Sequence, residues 1–120
     1  MKYAIEHQRD LNNNEYRLLT SILSKEKSLL LKNINELKVI GRCGCGNCPT
    51  VLFGYSFADQ ILTNEKLLFD YIGKTSENKI VGILVFGNEN IISELEFYSP
   101  DGELELLKHP EINSLEKIIY

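Results

Sequence analysis

The sequence predicts an α+β domain in which two N-terminal helices pack on a mainly antiparallel meander of about four to six strands. Three observations predict it. Helix-period apolar spacing fills the stretch before Lys38, and from there the pattern changes to β-branched and aromatic enrichment. The gaps between the later apolar runs are too short for the crossovers that parallel strands require. A chain of 120 residues, 43% of them apolar, is one domain's worth and can bury a core of its own.

The first helix is expected over about residues 13–24, where Leu18, Leu19, Ile22 and Leu23 recur at helical spacing. Asn12 and Glu15 stand three apart before it, the spacing of a capping box. Lys25-Glu26-Lys27-Ser28 interrupts the pattern, and Leu29, Leu30, Leu31, Ile34 and Leu37 then suit a second short helix. Strands follow at Val39-Ile40 and at 50–55, joined by a glycine and cysteine turn. Three more are expected at 66–72, 79–86 and 91–98, separated by turn residues at 73–78 and at Gly87-Asn88-Glu89-Asn90. The run 80–86 is apolar on both faces and reads as a central strand; Glu94, Glu96 and Tyr98 alternate with Leu95 and Phe97, as on a half-exposed one. Beyond Ser99-Pro100-Asp101-Gly102 the alternation resumes at Glu103-Leu104-Glu105-Leu106, so Glu94, Glu96, Glu103 and Glu105 are expected on one solvent-facing surface. The tail reads as a short helix opening near Pro110 and anchored by Leu115, Ile118 and Ile119.

The charge is unevenly spread. Residues 1–42 hold eight basic and five acidic side chains, whereas residues 43–120 hold five and twelve, and the whole chain carries -4. That balance offers no reason to bind nucleic acid or an anionic membrane, and it favours encounter with a basic partner. The N-terminal stretch places Glu6, His7, Arg9 and Asp10 where a secretory leader needs an apolar run, and no apolar run approaches the length of a membrane span. A cytoplasmic protein is the expectation. All three cysteines lie in Cys43-Gly44-Cys45-Gly46-Asn47-Cys48, too close together to staple distant segments and consistent with a reducing compartment.

Those cysteines are the first candidate site. Cys43, Cys45 and Cys48 have spacings at which thiolates can share a metal, but a closed zinc site needs a fourth ligand, and His7 and His109 lie far off in sequence. Cys45-Gly46-Asn47-Cys48-Pro49 also carries the lettering of a dithiol redox centre, yet Thr50-Val51-Leu52-Phe53 is strand-like where that chemistry needs a helix N-terminus. No metal or cofactor is therefore expected, with the cysteine cluster as a metal-binding or thiol-redox alternative. No glycine-rich phosphate loop and no nucleophile with a neighbouring histidine base is present in the lettering, so an enzyme is not expected. The second candidate is the acidic strand surface: Glu94, Glu96, Asp101, Glu103 and Glu105, with Tyr98 as an aromatic anchor, suit a protein interface.

Two stretches, Gly41-Arg42-Cys43-Gly44-Cys45-Gly46-Asn47-Cys48-Pro49-Thr50-Val51-Leu52-Phe53 and Ile92-Ser93-Glu94-Leu95-Glu96-Phe97-Tyr98-Ser99-Pro100-Asp101-Gly102-Glu103, resemble small bacterial immunity proteins of polymorphic toxin systems. The opening Arg9-Asp10-Leu11-Asn12-x-x-Glu15 is similar to that group as well, in particular to the immunity proteins of contact-dependent growth inhibition. The resemblance covers nearly the whole chain. It implies a cytoplasmic binding protein without enzymatic activity that neutralises a cognate toxin domain, often a nuclease such as an RNase. It carries over no contact residues, so the six named above rest on charge and alternation alone. An acidic inhibitor would match the basic surface with which a nuclease holds phosphates.

Overall fold

Asn12 starts the first helix, α1 (Asn13–Lys25), by a complete capping box. Its side chain accepts the Glu15 backbone N–H at 2.8 Å, and the Glu15 carboxylate accepts the Asn12 N–H at 2.9 Å. This and all that follows comes from a computed structural model describing residues 3–4, 8–43, 49–62, 65–100 and 108–119. Leu18, Leu19, Ile22 and Leu23 form the buried stripe of α1. The helix ends where Lys27 takes a left-handed φ of 52° and the Ser28 N–H donates back to the Leu23 carbonyl.

The second predicted helix is present as a 3₁₀ helix, Leu29–Glu36, rather than an α-helix. Three consecutive leucines cannot share one α-helical stripe, whereas 3₁₀ winding eclipses residues three apart. That brings Ile34 and Leu37, both buried, to the same side and leaves Leu29 in solvent.

Among the described residues eight strands make one antiparallel sheet: β1 (Tyr3–Ala4), β2 (Arg9–Asp10), β3 (Lys38–Cys43), β4 (Val51–Gly54), β5 (Lys66–Lys74), β6 (Ile80–Gly87), β7 (Ile92–Tyr98) and β8 (Glu116–Lys117). The count exceeds the expected four to six because β1, β2 and β8 are two-residue strands, too short to show an alternation in sequence. β1 and β2 both pair with β3, and the order runs β3-β4-β7-β6-β5-β8. This corrects the meander. β5, β6 and β7 are successive hairpins, but β4 pairs with β7, so the 55–65 connection carries the chain past two strands in a Greek-key arrangement. The meander rule holds for the short turns and fails at this longer one.

The tail also differs from expectation. A single 3₁₀ turn, Ile112–Ser114, leads into β8 on the free edge of β5. Glu111 N–H donates to the Lys74 carbonyl at 2.7 Å, the Ser114 hydroxyl accepts the Lys74 N–H at 2.8 Å, and Ile118 N–H donates to the Asp70 carbonyl at 2.9 Å. Edge pairing satisfies more backbone groups here than a short isolated helix would. Leu115 is buried, but Ile119 is exposed and anchors nothing.

One face of the sheet holds the core. Val39, Val51, Phe53, Tyr71, Val81, Ile83, Val85, Leu95 and Phe97 cluster with the α1 stripe, Ile34 and Leu37. Tyr71 fastens the helix end to this layer: its hydroxyl donates to the Glu26 carboxylate at 2.7 Å, which also takes Lys117 Nζ at 2.9 Å. Burial and this hydrogen bond push the Tyr71 phenol well above its ordinary value. No helix among the described residues is long and apolar enough to cross a membrane.

Candidate functional site: the outer face of the sheet

Directly paired residues of antiparallel strands point to the same face, so the register defines what the side opposite the core displays. One row across it reads Leu52, Glu94, Phe86 and Leu67, from β4 through β7 and β6 to β5. The next reads Glu96, Leu84 and Asp70, and a third Tyr98, Gly82 and Ile72. Carboxylates therefore sit inside an apolar lattice. A water-facing side of an antiparallel sheet is ordinarily polar; here Leu52 and Asp70 are buried, Ile72, Leu84, Phe86, Glu94 and Glu96 are half-exposed, and Leu67 and Tyr98 are exposed.

Glu94 and Glu96 are both half-buried. Burial among these apolar neighbours pushes the Glu94 carboxyl up, and the adjacent Glu96 charge pushes it further. Burial alone raises Glu96. Neither carboxylate has a hydrogen bond or an ion pair among the described residues. Asp70, on the same face, is 8% exposed. Tyr98 lies over Gly82, and burial, then the charges of Asp70 and Glu96, raise its phenol. The arrangement places Glu96 and Asp70 near one aromatic ring, with Leu84 and Phe86 between the two acidic strands. Chemically it suits holding a cation against an apolar surface.

Of the six residues expected at an interface, Glu94, Glu96 and Tyr98 share this face as the alternation required. Asp101, Glu103 and Glu105 lie outside the described residues. Sequence reasoning missed Asp70, Leu84, Phe86, Leu67 and Ile72. Asp70 was visible only as one polar letter in the run 66–72, and its neighbours follow from a register that a bulge between Leu67 and Phe69 shifts. Of the cysteine cluster, Cys43 ends β3, while Cys45 and Cys48 lie outside the described residues. Among the described residues no group of three or more histidine, cysteine or acidic side chains is placed to hold a metal.

In comparisons with known proteins, no family model, no curated protein and no solved structure matches this chain.

Proposed function

We propose that this chain is an immunity-type binding protein that neutralises a basic bacterial toxin domain, of nuclease class, by docking it on the outer face of the sheet. The observation that carries the reading is the pair Glu94 and Glu96, half-buried in an apolar surface and without a cationic partner among the described residues. Partly desolvated carboxylates left unpaired raise the free energy of the free protein. An arginine or lysine from a partner relieves that cost on docking, and Leu84, Phe86, Ile72 and Tyr98 supply the apolar area and aromatic anchor an interface core needs. The net charge of -4 adds long-range attraction for a basic domain. The same reading places the protein in the cytoplasm, where a delivered nuclease acts, and gives it no enzymatic step or cofactor of its own.

The test is a binding and inhibition titration against the toxin domain encoded beside this chain, at low and at high salt. The reading requires a tight complex that abolishes toxicity and weakens with salt. Charge reversal by Glu94→Lys together with Glu96→Lys is expected to slow association by tenfold or more at low salt. Wild-type association and inhibition by that variant would remove this face from the mechanism.

A further inference from the structure

On the helix side of the sheet, away from Glu94 and Glu96, a cleft of about 520 Å³ opens between the first turns of α1 and the 108–113 segment. That volume falls within the range of small-molecule sites, roughly 300 to 1,000 Å³. Its described lining includes Asn14, Arg17, Ser76, Lys108, His109 and Glu111. Arg17 and Lys108 bring two cations to this cleft, with Glu111 the only carboxylate among the described lining residues and Glu77 paired to Lys108 at the rim.

His109 gives the cleft its chemistry. Its ring meets Phe97 edge-on, with centroids 4.8 Å apart and planes at 60°. Nδ1 is enclosed and has no hydrogen-bond partner among the described residues. An enclosed N–H without an acceptor costs a full desolvation penalty, and a bare ring lone pair costs less. The proton of the neutral imidazole therefore belongs on Nε2, which makes the ring a donor toward the cleft. Burial lowers the tendency of this imidazole to take a second proton, which keeps it in that neutral form. Arg17 is exposed and has no acceptor among the described residues. Lys108 is held at the rim by Glu77, Nζ to Oε1 2.7 Å, and keeps two further N–H donors. Three donors of two kinds thus converge on one cleft, and their common complement is an oxyanion.

We propose that this cleft binds a small oxyanion-bearing molecule, whose phosphate or carboxylate group is held by Arg17, Lys108 and the Nε2–H of His109. The site lies across the sheet from the proposed docking face: Phe97, which carries His109, points into the core, whereas its neighbours Glu96 and Tyr98 point outward. It stands or falls independently of toxin binding.

The experiment is a two-dimensional amide NMR titration of the full chain with inorganic phosphate and, separately, with succinate, each against sodium chloride at matched ionic strength. Saturable shifts at His109, Ile112 and the first turns of α1 are expected with at least one of the two, and which one saturates assigns the group. Arg17→Gln, at an exposed position, is expected to weaken binding at least tenfold, and Lys32→Gln, an exposed residue that is not among the described residues lining the cleft, to leave it unchanged. Linear shifts that sodium chloride reproduces, or saturation unaffected by Arg17→Gln, would overturn the proposal.

Discussion

The ring of Tyr98 on β7 lies directly on the backbone of Gly82, its cross-strand partner on β6, so closely that a Cβ on Gly82 would fall inside the ring. An aromatic side chain over a strand glycine fills the gap that the missing side chain leaves and covers the exposed backbone. Gly82→Ala is therefore expected to push Tyr98 off the face and to destabilise the fold by about 1–3 kcal/mol through overpacking. Chemical denaturation measures the loss. The Tyr98 ring signals in NMR report the displacement; shifted ring signals with unchanged stability would show that the ring yields without cost, and unchanged signals would contradict the contact.

The same face ties stability to pH in an unusual sense. Glu94 and Glu96 have carboxyls raised above the ordinary range, so the folded state holds their protons more tightly than the unfolded chain does. Their contribution is then neutral below the unfolded carboxylate value and becomes a penalty as pH rises through the raised folded one. Glu94→Gln with Glu96→Gln should accordingly stabilise the free protein at pH 7, by less than about 1 kcal/mol given solvent screening at half-buried positions. The gain should vanish below about pH 4. The same variant is expected to bind a basic partner more weakly. Stability curves at the two pH values, set beside one affinity measurement, separate a functional cost from a structural role; loss of stability at pH 7 would contradict it.

Particular residues show where the sequence was legible. Asn12, Glu15 and the α1 stripe were readable because capping and helical periodicity are local, and all the groups involved lie within a dozen residues. The alternation of Glu94, Glu96 and Tyr98 predicted their shared face for the same reason. Asp70 joins that face only through the β5 to β6 register, and β4 reaches β7 only through a Greek-key connection. Both are relations between segments, which no local pattern encodes. The buried side of His109 and its contact with Phe97 are equally non-local, so the sequence presented that residue only as an isolated histidine.

Lys27 ends α1 in the left-handed region at φ 52°, a conformation in which a Cβ is strained. The Ser28 N–H to Leu23 carbonyl bond at 3.0 Å holds the backbone there regardless of the side chain. Lys27→Gly should relieve the strain without breaking that bond, stabilising the domain by about 0.5–1 kcal/mol after the added freedom of glycine in the unfolded chain is subtracted. A shift of the urea midpoint to higher concentration with an unchanged slope checks it. A lower midpoint would mean that the lysine makes a contact worth more than the strain.

Arg9 grips Glu15 through both guanidinium nitrogens, at 2.7 and 2.8 Å. Glu15 is 1% exposed, and the same carboxylate caps α1, so β2 and the helix start are fastened at one buried anion. The hydrogen bond to Glu15, then its charge, hold the Arg9 guanidinium firmly protonated against the opposing effect of burial. Removing the cation strands the anion. Arg9→Ala should cost about 2–4 kcal/mol, less than a fully buried pair because the Arg9 side chain is 41% exposed. Glu15→Gln keeps the cap acceptor and removes the buried charge, so it should cost less. In the double variant Arg9→Ala with Glu15→Gln no anion is left unpaired, and its cost should fall below the sum of the single ones by 1 kcal/mol or more, to be read from a denaturation cycle. Additive costs would mean that Arg9 stabilises through packing and its bond to the Asp10 carbonyl, and not through the buried carboxylate.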